Sequence, residues 1–531
     1  MFMLFFGTVI HAQRSTKPKL VVGLVIDQMR WDYLYRYSNR YGTGGFKRLL
    51  REGFSCENTL IPYTPTYTAP GHTCVYTGSV PSLHGIVGNN WYDKTTHRMV
   101  YCTDDNSVQT VGSASAAGKM SPRNLWSTTI SDEVRLAQNF QNKTIAIALK
   151  DRGAILPGGH TANAAYWFDA ATGGFISSTF YMQALPQWAM AFNEKKLPDE
   201  YLKQGWNTRY PIATYTQSTA DSEVYEASIL GEDNVFPHRT DTLTKNKYET
   251  FKALPAGNTY TLEMAKAAIE GEGLGRRGVT DMLAISCSST DYIGHTTGPN
   301  SVEVEDTYLR LDEDIAQFLT YLDATIGKGQ YVFFLTADHG AAHVPGFLKQ
   351  HNIPAGVLDD ATIQVRLNAG LQKTFGITNG VTTVMNYQVY LTDSVIAAKG
   401  VNKAMVKQQI IDTLLSIPGI AKAFDLERLN DAVLPEALKK AVTNGYNQKR
   451  SGDIQFLFLP QWFDGGNRGT THGAWNPYDA HIPLLWMGWN IKAGHTNRTT
   501  YMTDIAPTLA ALLHVQMPSA SIGTVIEEVV R

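Results

Sequence analysis

Short, continuous apolar runs recur along the chain and are separated by segments with helical spacing. The runs lack alternation of polar and apolar residues, which is typical of parallel strands covered on both faces. They are KLVVGLVID at 19–27, TIAIAL at 144–149, DMLAIS at 281–286, YVFFLTA at 331–337 and IPLLWM at 482–487. This alternation predicts an α/β fold with a mostly parallel sheet flanked by helices on both faces.

Helices are indicated by apolar residues at three- and four-residue spacing. Residues 301–326 show this spacing, and so do residues 503–515, where we expect Thr503 to cap the helix and Pro507 to lie in or near its first turn.

Two long stretches interrupt the alternation of strands and helices. Residues 155–260 are rich in Tyr, Trp, Gly and Asn and have little periodicity, whereas residues 344–465 contain short strands and an amphipathic helix at 401–416. We interpret both as insertions, the first of them near the active site. The sequence therefore predicts one domain over residues 18–531 with two inserted cap regions.

The chain begins MFMLFFGTVIHAQ, and we interpret residues 1–12 as a secretory signal peptide. No Lys or Arg precedes the apolar run, and a buried first strand or helix is the alternative. The run is shorter than the roughly 20 residues that a membrane span needs. We therefore expect a periplasmic or secreted protein without a stable membrane span.

The overall charge gives no sign of a polyanionic partner. The 531 residues include 46 basic and 48 acidic residues, a net charge of -2, so nothing indicates nucleic acid or an anionic membrane surface. We expect small-molecule substrates and a monomer. Four cysteines form no C-x-x-C pair, so a cysteine zinc site is not indicated. Of the four, Cys56, Cys74 and Cys102 allow a disulfide among them, and buried free thiols are the alternative; the sequence does not assign Cys287.

Charged residues follow several of the predicted strands. Asp27 ends the first run, Lys150-Asp151-Arg152 follows the second, and Asp338-His339 follows the fourth. Ligands of open α/β sheets bind beyond the carboxyl ends of the strands. This shared placement predicts a functional site at that edge of the sheet.

Acids and histidines at these positions have the chemistry of zinc ligands. Asp291 and His295 are four residues apart, so on a helix they lie on one face, and His472 stands between small residues in GTTHG. Each alone has a plainer interpretation, such as a capping Asp or a solvated His. Together, three acids and three histidines can hold two zinc ions: Asp27, Asp291, Asp338, His295, His339 and His472.

A candidate nucleophile lies in the segment PTYTAPGH at 65–72. Small residues and prolines around Thr68 indicate a fixed turn at a helix start, where free backbone N–H groups can bind phosphate. A threonine hydroxyl needs a metal or a base to become a nucleophile. An ordinary helix cap is the alternative role, and Thr66 is the competing candidate.

At this point the sequence resembles the alkaline phosphatase superfamily, most closely its threonine-nucleophile, phosphate-irrepressible (PafA-type) branch. The segments that carry the resemblance run in order through most of the chain: VVGLVIDQMRWDYL at 21–34, TPTYTAPGHTCVYTGSVPSLHGIVGNNWYD at 64–93, LKDRGAILPGGH at 149–160, DYIGHTTGP at 291–299, TADHG at 336–340 and THGAWNPYDAHIPLLWMG at 471–488.

The resemblance implies a role for each candidate residue. One zinc ion would be held by Asp291, His295 and His472. The other would be held by Asp27, Asp338 and His339 and would also bind the oxygen of Thr68, the nucleophile. Asn89, rather than its neighbour Asn90, would bind a phosphoryl oxygen, as would Lys150 and Arg152. The implied reaction passes through a phosphothreonine, which water hydrolyses, and broad use of phosphate monoesters is expected.

A nucleotide pyrophosphatase/phosphodiesterase of the same superfamily is the alternative function, because the metal ligands do not separate the two classes. Lys150 and Arg152 favour the monoester, whose dianion carries more charge than a diester. If strand geometry continues past residue 149, these two side chains share one face. The C-x-P-x-R motif of sulfatases is absent. A non-catalytic binding protein is disfavoured because all the expected ligands are present.

Overall fold

The computed structural model describes residues 17–231 and 234–531. The predicted signal peptide at residues 1–12 lies outside these ranges. In the part of the chain that is described, no helix is both long and apolar enough to cross a bilayer.

Nineteen strands are formed in the described ranges. In chain order they are β1 Leu20–Ile26, β2 Phe54–Leu60, β3 Asn90–Asp93, β4 Arg98–Tyr101, β5 Thr110–Val111, β6 Thr144–Ala148, β7 Ala164–Asp169, β8 Gly174–Ser178, β9 Asp281–Cys287, β10 Tyr331–Thr336, β11 Gly356–Leu358, β12 Val381–Met385, β13 Gln388–Leu391, β14 Ile420–Asp425, β15 Ile454–Phe458, β16 Trp462–Asp464, β17 His481–Ile482, β18 Leu484–Gly488 and β19 Gly494–Tyr501.

Twenty α-helices accompany these strands within the same ranges. They are α1 Tyr33–Arg36, α2 Phe46–Glu52, α3 Thr68–Thr77, α4 Pro81–His84, α5 Ile130–Ala137, α6 Asp151–Gly158, α7 Gln187–Glu194, α8 Leu197–Gln204, α9 Lys247–Phe251, α10 Ala256–Glu272, α11 Ser289–Thr297, α12 Val302–Leu322, α13 Pro345–Gln350, α14 Asp360–Phe375, α15 Asp393–Ala398, α16 Lys403–Leu415, α17 Glu436–Gly445, α18 Pro477–Ala480, α19 Ile505–Leu513 and α20 Glu527–Val530.

The main sheet has eleven strands in the order β17-β2-β18-β10-β1-β9-β6-β7-β8-β5, with β19 paired to β2. Its centre is parallel, because β1 pairs in parallel with β9 and β10, and β6 pairs in parallel with β9 and β7. Every residue of β1 is buried, as its unbroken apolar run predicts. The predicted α/β fold, a mostly parallel sheet flanked by helices, is confirmed.

The apolar runs coincide with strands of this sheet, but the last run differs in direction. Strand β18, which begins inside IPLLWM at Leu484 and ends at Gly488, pairs antiparallel with both β10 and β2. The predicted helix at 503–515 also begins later than expected. Residues 502–504 form a 3₁₀ turn, Asp504 is the residue before α19, and Thr503 is therefore not its cap. Pro507 falls in the first turn of α19.

The two predicted insertions have different relations to the main sheet. Strands β7 and β8 lie within the range 155–260, yet both belong to the main sheet. Only the part between the end of β8 at Ser178 and the start of α10 at Ala256 lies outside the main sheet. The range 344–465 forms a separate four-stranded sheet, β12-β13-β15-β14, with its own apolar core. We call residues 356–464 the second unit.

All four cysteines are buried and free, so the thiol alternative is the one observed. Helix α3 packs closely on β1 and β10. A Cβ at Gly23 would lie 2.4 Å from both the Tyr76 hydroxyl of α3 and the Phe334 ring of β10. Glycine at this strand position therefore permits the close approach that brings the start of α3 to the sheet edge.

Candidate active site

The predicted site residues converge at the carboxyl edge of the four central strands. Asp27 directly follows β1, and Asp338-His339 follows β10 after Ala337. Lys150 lies between β6 and α6, and Asp291 lies in the first turn of α11, which follows β9. Because these strands are neighbours, their ends bring the polar side chains together at one place.

The first group of potential metal ligands consists of Asp291, His295 and His472. Nε2 of His295 is 3.1 Å and Nε2 of His472 is 3.8 Å from Asp291 Oδ1. The Nδ1 atoms face backbone carbonyls, that of Thr470 at 2.8 Å for His295 and that of Thr66 at 2.7 Å for His472. Such bonds fix each ring so that Nε2 is presented to a metal.

The second group lies beside the first. Asp27, Asp291 and His339 have ligand atoms within 4.8 Å of one another. Nε2 of His339 is 3.6 Å from Asp27 Oδ1 and 3.4 Å from Asp338 Oδ2. Asp338 falls outside the three-residue group, and its Oδ2 lies 3.2 Å from His72 Nδ1. The rings of His339 and His472 stack with centroids 3.4 Å apart, so the two groups adjoin.

Thr68 is the first residue of α3 and lies beside His339 of the second group. It is 1% exposed, and its Oγ1 is 3.3 Å from Nε2 of His339. The competing hydroxyl, that of Thr66, donates to the carbonyl of Ala474 at 2.9 Å. Of the two threonines, Thr68 is therefore the one whose hydroxyl meets the ligand cluster.

Lys150 and Arg152 do not share the face of a strand, because β6 ends at Ala148 and residues 151–158 are helical. The Lys150 ammonium donates to Asp27 Oδ2 at 2.7 Å and to Asp291 Oδ2 at 2.5 Å. Arg152 donates to the hydroxyl of Tyr101 at 3.0 Å. Both side chains line one cavity of about 430 Å³. Of the two, Lys150 reaches the carboxylates of the ligand cluster, whereas Arg152 contacts Tyr101.

Asn89 lies against the start of α3. Its Oδ1 accepts a hydrogen bond of 2.9 Å from the backbone N–H of Ala69, the residue after Thr68. This bond assigns the carbonyl side of the amide and leaves the NH₂ group as the side that can donate to a ligand. Asn90, its exposed neighbour, is instead the first residue of β3.

Burial and neighbouring charges displace the pKa values of the site in opposite directions. Burial, followed by the charges of Asp291 and Asp338, raises the pKa of Asp27 well above its usual value. Burial also acts to raise the pKa of Asp291, but His295 and Lys150 outweigh it and hold that pKa well below the usual range. Burial, with His339 and His295, lowers the pKa of His472 well below normal, which keeps its imidazole neutral. Neutral imidazole is the form that binds metals.

The donor set fits divalent metal ions. Asp27 Oδ1 is buried and has no hydrogen-bond partner, although a buried carboxylate oxygen normally has one. Both groups combine imidazole nitrogen with carboxylate oxygen, the ligand types that zinc accepts. The arrangement can therefore hold cations around Thr68.

Two buried residues of the site carried no clear signal in the sequence. Gln28 has a left-handed backbone, with φ of 65°. Its side chain donates to Asp291 at 2.7 Å and its backbone N–H donates to Asp338 at 3.1 Å, so it links the two groups. His72, one turn after Thr68, connects Asp338 to Ser286 of β9, whose hydroxyl is 2.8 Å from its Nε2.

Comparison with known proteins places this fold and site in a family. The sequence model of the Type I phosphodiesterase / nucleotide pyrophosphatase family matches residues 21–480. The chain therefore belongs to that family.

Closer relatives narrow the class. The chain is 54% identical to alkaline phosphatase PhoV of Synechococcus elongatus, over 98% of this chain and 94% of that one. It is 49% identical to alkaline phosphatase PafA of Elizabethkingia meningoseptica, over 99% and 98% of the two chains. A relative from Myroides odoratus, 53% identical over 99% and 97%, carries the name calcium-transporting ATPase.

The crystal structure of PafA superposes with a TM-score of 0.95 at 48% identity, covering 97% of this chain and 99% of that one. The relatives PhoV and PafA and the superposed structure are alkaline phosphatases. This chain is therefore an alkaline phosphatase, a metal-dependent phosphoric monoester hydrolase.

Proposed function

We propose that the enzyme hydrolyses phosphate monoesters through a phosphothreonine formed on Thr68, within a site for two zinc ions. The observation that carries this proposal is the position of the Thr68 hydroxyl. It is buried at the start of α3, 3.3 Å from His339 Nε2 and beside the clustered carboxylates.

Six residues would hold the two ions. Asp291, His295 and His472 form one set, and Asp27, Asp338 and His339, together with Thr68, form the other. When bound, zinc supplies positive charge that stabilises the attacking and leaving oxygens. The backbone carbonyls of Thr470, Thr66 and Gly340 orient the three imidazoles, because each accepts from or faces the Nδ1 atom.

The remaining site residues would bind the phosphoryl group. The NH₂ group of Asn89 is the donor left after Ala69 has engaged its carbonyl. Lys150 and Arg152 line the same cavity and carry two positive charges. Each close charge contact contributes on the order of 1–4 kcal/mol in partly solvated surroundings. A monoester dianion gains more from two cations than a diester monoanion, so the pair favours monoesters.

A solved variant of PafA supports the choice of residues. This PafA variant carries substitutions of one threonine, one asparagine, one lysine and one arginine, and its structure has a TM-score of 0.95 at 47% identity. The threonine and asparagine, and the lysine and arginine, have the same sequence spacing there as Thr68 with Asn89 and Lys150 with Arg152 here.

Substrate range, export and oligomeric state are further parts of the proposal. We infer broad use of small phosphate monoesters, with release of inorganic phosphate, and export to the periplasm or medium by residues 1–12. We also infer a monomer that engages neither nucleic acid nor, stably, a membrane.

The test uses Thr68→Ala. The matched control is Thr66→Ala, two residues earlier in the chain. Thr68→Ala should lower kcat for an aryl phosphate monoester by about 10⁴-fold or more, because removal of a nucleophile leaves only binding and charge stabilisation. Thr66→Ala should retain most activity. Equal losses of kcat in both variants would contradict the role of Thr68 as the nucleophile.

The same assay distinguishes the proposed monoesterase from the alternative function, a nucleotide pyrophosphatase/phosphodiesterase, which is the activity in the name of the matching family. The unmodified enzyme should hydrolyse the aryl monoester at least ~10³-fold faster than the corresponding methyl aryl diester, because the diester lacks the second charge. A preference for the diester would favour the alternative. Metal analysis should find two zinc ions per chain.

A further inference from the structure

One face of the second unit lies along the segment that carries Asn89. We call residues 82–94 the Asn89 segment. From the second unit, Asn447 donates to the carbonyl of Ser82 at 3.1 Å, and Asp453 pairs with Lys94 at 3.3 Å. The contacts therefore reach both ends of the Asn89 segment.

Buried and aromatic contacts fill the space between these ends. The guanidinium of Arg450 donates to the carbonyl of Gly85 at 2.5 Å and lies 4.7 Å from the centre of the Trp91 ring. The rings of Tyr390 and Tyr92 meet edge to face at 5.9 Å. Arg450 is 8% exposed, so this contact is part of the protein interior.

The contact nearest to Asn89 comes from the tip of a β-hairpin. Asn386 and Tyr387 form the two-residue turn between β12 and β13, with φ of 56° and 59°. Two left-handed residues define a type I′ turn, in which asparagine is favoured. The turn is therefore a fixed element rather than a loose loop.

Asn386 touches the Asn89 segment on both sides of Asn89. Its Nδ2 donates to the carbonyl of Asn90 at 2.8 Å. The same nitrogen would lie 2.7 Å from a Cβ at Gly88, so the amide rests directly on that glycine. Tyr387 anchors the tip from beneath, because its hydroxyl donates to the carbonyl of His472 at 3.2 Å.

We propose that Asn386 is a positioning residue that holds the Asn89 amide in place to bind the transferred phosphoryl group. The inference rests on the proposed role of Asn89. The second unit then serves the reaction through Asn89, because its hairpin tip contacts the residues on either side, Gly88 and Asn90, while the N–H of Ala69 holds the side chain. A donor aimed before the substrate arrives needs no reorganisation during the reaction.

The test is a double-mutant cycle between Asn386→Gly and Asn89→Ala, read as kcat/KM for an aryl phosphate monoester. Glycine retains the left-handed turn and removes only the amide. Asn386→Gly should lower kcat/KM by about tenfold in the unmodified enzyme, and by less than about twofold once Asn89 is alanine, because contacting residues that act together are not additive. The inhibition constant of inorganic phosphate should shift in parallel.

Asn379→Gly is the matched control. Asn379 is also an asparagine with positive φ in the second unit, and it is exposed in the loop before β12. It should leave kcat/KM unchanged. Asn386→Asp, which keeps the turn preference but removes the N–H donors, should repeat the loss seen with Asn386→Gly. Thermal unfolding of each variant should show that all remain folded.

Two failures are distinguishable. If Asn89→Ala leaves monoester turnover unchanged, the proposed role of Asn89 falls, and the inference falls with it. If Asn89→Ala lowers turnover but Asn386→Gly causes the same loss in both backgrounds, or no more than Asn379→Gly, only the positioning role is overturned.

Discussion

At the scale of the residue, the site gathers three buried carboxyl groups around one lysine. Asp27, Asp291 and Asp338 are each 3% exposed or less, and Lys150 is the lysine that bridges two of them. Burial of an uncompensated carboxylate costs several kcal/mol. Divalent cations at this position would offset that cost, which gives the metal proposal a basis independent of any relative.

The two cations proposed to bind the phosphoryl group, Lys150 and Arg152, give a prediction at this scale. Lys150→Ala combined with Arg152→Ala should lower monoester kcat/KM by about 10²-fold or more, from ~1–4 kcal/mol for each close charge contact. The diester should lose much less, because it carries one charge fewer. The measurement is the ratio of the two kcat/KM values.

Lys252→Ala is the control for this pair. Lys252 lines the same cavity and lies over the same Tyr292 ring as Lys150, but its ammonium pairs with Glu249. Its removal should change both rates by no more than about twofold. Equal losses of monoester and diester activity in the double variant would contradict the charge argument.

At the scale of the element, the start of α3 sets the position of Thr68, the proposed nucleophile. Glycine at two positions lets α3 approach its neighbours, Gly23 on β1 and Gly71 within the helix. A Cβ at Gly71 would lie 2.5 Å from the carbonyl oxygen of Asp338 and 2.7 Å from its Cβ. The distance between Thr68 and the ligands after β10 therefore depends on a helix–backbone contact that permits no side chain.

Gly71→Ala should push α3 away from Asp338. Overpacking of this kind costs about 1–3 kcal/mol of stability, and a displacement of the order of 1 Å can cost about 10²-fold in rate. Kinetics and thermal unfolding of the variant measure both effects. Gly370→Ala, inside α14 with the nearest atom at 3.4 Å, is the control and should stabilise by about 0.5–1 kcal/mol. Full activity of Gly71→Ala would show that the contact does not set the site.

At the scale of the whole molecule, the sequence predicted the central strands and the sheet edge that carries the site. It did not predict the direction of β18 or the contacts between distant segments. Unbroken apolar runs identify β1 and β10, and the charged residues after them locate the site, because strand ends meet at one edge. The antiparallel direction of β18 is not encoded in its run, since a strand buried on both faces reads alike in either direction. Four buried free thiols were likewise one of two open alternatives.

Contacts between distant segments explain the rest. Asn386 lies 297 residues after Asn89, and nothing in either segment marks the other. Gln28 follows a predicted ligand, but its left-handed backbone and its link between Asp291 and Asp338 arise only from tertiary structure. The strand geometry assumed for residues 150–152 is not formed, because helix α6 begins at Asp151. Lys150 nevertheless lies beside the site, because its long side chain reaches Asp27 from the start of the helix.

We propose that six side chains gather two metal ions around the Thr68 hydroxyl. Anomalous diffraction from crystals of the zinc-loaded enzyme, measured on both sides of the zinc absorption edge, tests this arrangement. We expect two peaks, one bonded to Asp291, His295 and His472, and the other bonded to Asp27, Asp338 and His339 and adjoining Thr68. A single peak, or zinc bound away from Thr68, would contradict it.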